Sequence, residues 1–108
     1  MEILILADDP ISLQARTYAE YRLFAALSQL PFAGRVRHAT VELRAVRRKQ
    51  GGDGVSCIVT VGVEEGGEQR IRATGGHAYA AINRAIERLG NAGALVRRRA
   101  ATAEHASE

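Results

Sequence analysis

Residue types that act as nucleophiles, metal ligands or acid–base groups are widely scattered in this sequence. Three histidines lie far apart and lack metal-ligand spacing with the single cysteine: His38, His77 and His105. Cys57 falls on the inward side of the most apolar segment, where thiols are buried and unreactive. Two acidic pairs, Asp8-Asp9 and Glu64-Glu65, lie in or near predicted turns, where solvated carboxylates are common. We therefore expect a protein that is not an enzyme and that has no metal site, no cofactor and no small-molecule substrate.

Arginine is the residue type whose chemistry and placement indicate binding. Fourteen of the 15 basic residues are arginine, and Lys49 is the exception. The guanidinium group offers a planar fork of donors that suits phosphate and stacks on nucleobases. Codon usage could explain the number of arginines, but it explains their placement less well. Residues 35–49 hold six basic side chains against one acid, Glu42, and such a segregated positive region is typical of phosphate binders.

Several basic groups are candidate contacts to RNA. Arg84 and Arg88 are four residues apart and share one helix face, where they could instead pair with Glu87 or Glu20. Exposed aromatic pairs on strands are missing from the pattern, which favours recognition of folded RNA by shape and phosphate over reading of single strands. The candidate RNA-binding residues are Arg22, Arg37, Arg44, Arg47, Arg48, Lys49, Arg70, Arg72, Arg84, Arg88, Arg97, Arg98 and Arg99.

The elements that would position these residues follow from apolar periodicity. Residues 2–7 are a short continuous apolar run, which predicts a buried strand. Ser12 is the predicted N-cap of a helix, and apolar residues then recur every three or four positions up to Leu30. Pro31 and Gly34 are expected to end this helix.

Alternation of apolar and polar residues predicts three further strands, over residues 36–46, 55–63 and 69–74. Glycine-rich turns between them favour antiparallel hairpins, with arginine and threonine side chains on the solvent face. A second helix is predicted from Ala78 to about Leu89, with Tyr79 in its buried stripe and residues 90–93 stopping or kinking it. The order β-α-β-β-β-α predicts an α+β fold in which two helices pack on one face of a four-stranded sheet.

Length and composition set the remaining expectations. A chain of 108 residues supports one domain, expected over residues 1–96, with a basic and then disordered tail over residues 97–108. A single cysteine excludes an internal disulfide and fits a reducing compartment. The apolar run at residues 2–7 is too short for a secretory signal, and no stretch approaches the roughly 20 residues of a membrane span. We therefore expect a cytoplasmic protein.

Both predicted helices resemble one known family. Residues 79–89, Tyr-Ala-Ala-Ile-Asn-Arg-Ala-Ile-Glu-Arg-Leu, closely resemble the Tyr-Ala-Ala-Ile-Asp…Asp-Lys-Leu helix of the ribosome hibernation promoting factor family, also called the ribosome-associated inhibitor or sigma-54 modulation family. Residues 15–23, Ala-Arg-Thr-Tyr-Ala-Glu-Tyr-Arg-Leu, are similar to its first helix, Leu-Arg-Glu-Tyr-Val-Glu-Lys-Lys-Leu. The resemblance covers about residues 3–89 and is most specific in the second helix.

The resemblance implies a fold like that of double-stranded-RNA-binding domains and a site on the small ribosomal subunit, in the channel used by messenger and transfer RNA. It also implies that the protein silences translation under stress. By position, Arg88 matches a basic residue before the helix leucine, and Arg22 matches a basic position in the first helix. Residues 97–99 correspond loosely to a basic C-terminal end.

Three features depart from the family pattern. Ala7-Asp8-Asp9 stands where the family often has Gly-Arg-His, and His77 stands where an acid precedes the second helix. Residues 90–93, Gly-Asn-Ala-Gly, interrupt what is usually a continuous basic helix. These departures keep an alternative open, namely a protein-interaction module of the same fold that no longer binds the ribosome.

Overall fold

The computed structural model describes residues 2–30, 33–47, 52–64 and 66–91. Its strands and helices follow the predicted order β-α-β-β-β-α. The elements are β1 (Glu2–Ala7), α1 (Leu13–Ser28), a 3-10 turn (Ala33–Arg35), β2 (Val36–Arg47), β3 (Asp53–Val63), β4 (Gly67–Gly75) and α2, which is helical over residues 78–91. The predicted domain boundary at residue 96 and the predicted tail lie outside these ranges.

The four strands form one mixed sheet in the order β1-β2-β3-β4. β1 and β2 are parallel, with Ile5 beside Val41, and α1 is the crossover connection that a parallel pair requires. β2, β3 and β4 are successive antiparallel partners, which confirms the two predicted hairpins. The sheet therefore has two edge strands, β1 and β4, and the two edges differ in how they are covered.

Both helices pack on the same face of the sheet, and we call the other face the open face. Small residues of α1, Ala15 and Ala19, let it lie close to the sheet, and Ser12 caps its first turn by accepting a hydrogen bond from the Ala15 amide at 3.1 Å. The largest fully buried apolar side chains come from both helices and from β2 and β3: Leu23, Leu27, Leu43, Ile82, Leu89, Val41, Val59, Val61 and Cys57.

Three details of burial differ from the sequence prediction. The apolar run of β1 is not buried on both faces, since Leu4 and Leu6 on the open face are 51% and 45% exposed. An edge strand has one neighbour only, so its open-face side chains stay in water. Tyr79 is 41% exposed instead of buried, and its ring packs on that of Tyr18 with centroids 5.1 Å apart. Ala45, predicted to point inward, is exposed near the end of β2.

The second helix extends through Gly90 and Asn91, two residues beyond its approximate predicted end at Leu89. The predicted stop or kink over residues 90–93 falls partly outside the described residues. Leu89 is fully buried and anchors this turn, while a glycine costs a helix only about 1 kcal/mol. At its other end, α2 lies so close to β4 that a Cβ on Gly75 would fall 2.7 Å from the Ala81 amide nitrogen. Neither helix of the described part is long and apolar enough to cross a lipid bilayer.

Candidate nucleic-acid interface

Four arginines gather along the outer edge of the sheet, and we call them the β4-edge arginines. Arg70 and Arg72 are exposed on the open face of β4, and Arg84 and Arg88 reach the same strand from α2. Arg84 Nη1 donates a hydrogen bond to the Thr74 carbonyl at 2.7 Å, and Arg88 Nη1 donates one to the Arg72 carbonyl. The edge thus carries four positive charges contributed by two elements.

The arrangement follows from the topology of the sheet. Within the described part of the chain β4 has no strand on its outer side, so the carbonyls of Arg72 and Thr74 that point outward need another donor. Arg84 and Arg88 lie one helical turn apart, and this spacing matches two successive outward carbonyls of a strand. Each guanidinium has five N–H donors and uses one of them in a hydrogen bond to a backbone carbonyl of β4, so the remaining donors can bind an anion.

The other two β4-edge arginines are free of ion pairs within the described ranges. Arg70 aligns with Thr60 and Thr40 across the open face, as the sequence predicted. Arg72 aligns with Ile58, which is buried although it lies on the open face. We attribute this burial to the long aliphatic stems of the neighbouring side chains, since arginine covers apolar surface while its head stays in water.

Two further candidate arginines are ion-paired. Arg37 Nη2 lies 2.9 Å from Glu64 Oε1, and Arg44 Nε lies 3.3 Å from Glu42 Oε2 on the same strand. Both pairs are largely exposed to solvent, where such contacts contribute about 0–1 kcal/mol. The pairs neutralise this part of the sheet without locking the side chains in place.

The remaining candidates do not join the cluster. Arg22 is half-buried on α1, the helix that packs on β1 and β2, and its Nε has no partner in the part of the chain described. Arg47 is exposed at the end of β2, opposite Asp53. Five predicted contacts lie outside the described residues: Arg48, Lys49, Arg97, Arg98 and Arg99.

The open face also holds an interaction that the sequence did not predict. The His38 ring lies directly over Gly62, where an added Cβ would fall 2.1 Å from the His38 Cε1 atom. Across this glycine, His38 Nε2 approaches Glu68 Oε1 to 3.4 Å. A glycine inside a central strand often marks the close approach of another group. Gly62 is therefore the feature of the sequence from which this contact could have been predicted.

Among the described residues, the groups that could support catalysis are Cys57 and the side chains that line one cleft. Burial raises the pKa of the Cys57 thiol to about 12, so the thiol is protonated at neutral pH and is a poor nucleophile. A cleft of about 630 Å³ opens between the starts of α1 and α2, and its titratable side chains are Arg47, Asp53, His77 and Tyr79. Within the described ranges, no three histidine, cysteine or acidic side chains are grouped to hold a metal ion.

Two solved structures have the same fold. A ribosomal subunit interface protein from Coxiella burnetii superposes with a TM-score of 0.70 at 14% identity, covering 91% of this chain and 99% of the other. The N-terminal domain of Protein Y from Thermus thermophilus superposes with a TM-score of 0.64 at 24% identity, covering 86% and 96%. Neither a protein-family model nor a curated protein matches the sequence. At these identities the similarity establishes the α+β fold.

Proposed function

We propose that this protein is a cytoplasmic member of the ribosome hibernation promoting factor family that binds the small ribosomal subunit through ribosomal RNA and silences translation under stress. The single observation that carries the proposal is the cluster of four β4-edge arginines. Two of them are fixed by the strand, and two are free of acidic partners in the described part of the protein. The fold shared with a ribosomal subunit interface protein and with Protein Y supports it.

The geometry of the cluster suits a phosphate backbone. Guanidinium groups held by backbone carbonyls lose less side-chain entropy on binding than free ones, so more of the electrostatic attraction remains as affinity. Arg84 and Arg88 lie one turn apart, about 6 Å between Cβ atoms, which is close to the spacing of neighbouring phosphates. The edge therefore offers a row of donors to a folded RNA surface, and no base needs to be unstacked.

The ion-paired arginines extend this surface. Arg37 and Arg44 can exchange Glu64 and Glu42 for phosphate at little cost, because exposed pairs are weak. Arg22 and Arg47 would add contacts beyond the cluster, as would the candidate residues 48–49 and 97–99. The β4-edge arginines are expected to dominate, since no acidic side chain of the described residues forms an ion pair with them.

Co-sedimentation with purified small ribosomal subunits tests the proposal. If about four phosphate contacts hold the complex, raising salt from about 50 mM to about 200 mM should weaken binding by roughly two orders of magnitude. In parallel, the protein should lower the yield of a reconstituted translation reaction. A protein that stays in the supernatant at low salt would refute ribosome binding and favour a protein-interaction module of the same fold.

A matched pair of variants assigns the binding surface. Arg70→Gln/Arg72→Gln and Arg37→Gln/Arg44→Gln each remove two exposed positive charges from the strands of the sheet. We expect the first to weaken co-sedimentation about tenfold or more and the second to have a much smaller effect, because its arginines start out paired with acids. Equal losses would show that net charge alone governs binding and would refute the assignment to the β4 edge.

A further inference from the structure

The two edges of the sheet differ in how their backbone groups are satisfied. At β1, the Asp8 amide donates to the Leu43 carbonyl of β2 at 3.0 Å. Because backbone groups alternate along a strand, those of Ile3, Ile5 and Ala7 point away from β2, on the side where β1 has no strand neighbour among the described residues. Three amides and three carbonyls are thus presented in a row, whereas arginines from α2 cover the β4 edge.

β1 also lacks the features by which proteins usually protect an edge strand. Its six residues contain no proline and no lysine, and its register with β2 has no bulge. Leu4 and Leu6 stand on the open face, 51% and 45% exposed, beside the free backbone groups. A strand that is apolar, unprotected and uncovered on one side is suited to accept another strand.

The charges around β1 specify what kind of strand fits. Glu2 stands at one end of the strand, and Asp8 and Asp9 follow the other end, all exposed. Arg16 of α1 donates to the Asp8 backbone carbonyl at 3.5 Å and offsets part of this negative charge. The Asp8 carboxylate accepts a hydrogen bond from the Ala45 amide at 2.9 Å, which holds it beside the strand end. A second copy of this chain in antiparallel order would bring Glu2 next to Asp8, acid against acid. A segment with basic residues at both ends would be attracted instead.

From these observations we infer that β1 is a docking edge for an extended basic peptide segment of a partner protein, which adds as a fifth strand. Its backbone pairs with Ile3, Ile5 and Ala7, and apolar side chains lie against Leu4 and Leu6. Lysine or arginine residues at its ends face the acids that flank β1. This inference does not depend on the proposed RNA contacts, since it concerns the opposite edge of the sheet.

Amide exchange and fluorescence anisotropy on the full chain test the inference. The probe is a labelled synthetic peptide of alternating valine and threonine with two arginines at each end, and its control has glutamate in place of each arginine. We expect the basic peptide to bind at least about tenfold more tightly than the acidic one and to slow hydrogen exchange at the amides of Ile3, Ile5 and Ala7. Equal affinities, or no protection of these amides, would overturn the inference.

Two single variants with the same change of charge complete the test. Leu6→Lys places a positive charge on the docking edge, whereas Leu13→Lys places it at the start of α1, where Leu13 is 74% exposed. Leu6→Lys should weaken binding of the basic peptide about tenfold, by like-charge repulsion and loss of an apolar cross-strand contact. Leu13→Lys should leave binding unchanged, and equal effects would contradict the site. The free protein could instead self-associate, and Leu6→Lys could abolish that self-association. This result would mean that a second copy of the chain occupies the edge, and it would refute the inference of a peptide partner.

Discussion

Cys57 lies among apolar side chains at the centre of β3, where its thiolate would be poorly solvated. Burial raises the pKa of this thiol from 9.0 to about 12. The pKa of this thiol is higher in the folded state than in the unfolded state, so folding is more favourable at pH values where the thiol is protonated in both states than where it ionises in the unfolded state. This contribution is complete below pH 9, the ordinary value, and is lost as pH rises toward 12.

We expect the free energy of unfolding of the wild type to fall more steeply between about pH 9 and pH 11 than that of Cys57→Ala. Other groups titrate in this range as well, so the informative quantity is the difference in slope between the two proteins, measured by urea titration at several pH values. Parallel slopes would mean that the thiol is accessible. A thiol reagent checks this directly, since Cys57 should react slowly in the native protein and rapidly in urea.

Gly62 and His38 form a pair in which one residue leaves space for the other. A Cβ at residue 62 would fall 2.1 Å from the His38 ring, so Gly62→Ala must displace the ring and break its contact with Glu68. The ring is at the end of a rotatable side chain, and alanine suits a strand better than glycine. We therefore expect a loss of at most about 1 kcal/mol in unfolding free energy.

A double-mutant cycle isolates this interaction. In a His38→Ala background the space above residue 62 is free, so Gly62→Ala should become neutral or stabilising there. Additive effects of the two substitutions would show that the ring does not constrain residue 62. The sequence placed both residues in strands, but contact between them depends on register and rotamer, which periodicity does not specify.

At the scale of elements, α1 depends on its cap more than on favourable charges near its ends, because its first turn has no acid and its last turn has no basic residue. Ser12→Ala removes the acceptor for the Ala15 amide and should lower the unfolding free energy by about 1 kcal/mol. Ser28→Ala is the matched control, since Ser28 Oγ donates to the Phe24 carbonyl in the exposed last turn. We expect its effect to stay within about 0.5 kcal/mol, and thermal or urea unfolding can compare the two.

The contact between α2 and β4 protects an edge strand. Arg84→Met/Arg88→Met keeps the aliphatic stems but removes the donors to the Thr74 and Arg72 carbonyls. The exposed edge should then promote self-association, detectable by light scattering at increasing protein concentration. Arg70→Gln/Arg72→Gln removes the same charge while leaving the edge covered, so it should stay as dispersed as the wild type. Scattering by both variants would point to loss of charge as the cause.

The sequence predicted most elements correctly because their patterns are local. The alternation of apolar and polar residues predicted the strands β2, β3 and β4, and the capping residue Ser12 predicted the start of α1. The exposure of Leu4 and Leu6 could not be predicted, because a short apolar run looks alike in a central strand and in an edge strand. In the candidate site, the shared face of Arg84 and Arg88 was predicted from their spacing. Their hydrogen bonds to β4 were not, since these depend on which strand lies under α2.

At the scale of the whole molecule, charge is separated across the sheet. The β4 edge carries four arginines, and β1 is flanked by Glu2, Asp8 and Asp9. Three strand spacings, about 14 Å, lie between the two edges, which exceeds the screening length of about 8 Å at physiological salt. Each edge can therefore attract a partner of opposite charge with little influence on the other.

The last prediction follows from this separation: the two binding events should be independent. Leu6→Lys should co-sediment with small ribosomal subunits as the wild type does, and Arg70→Gln/Arg72→Gln should bind the basic peptide with unchanged affinity. Because coupling between two sites is reciprocal, saturating peptide should leave the affinity for the subunit unchanged, and excess subunits should leave the affinity for the peptide unchanged. Competition in either direction would mean that one surface serves both partners. In that case, the separation of charge would orient a single partner across the sheet, and the two edges would not act as independent sites.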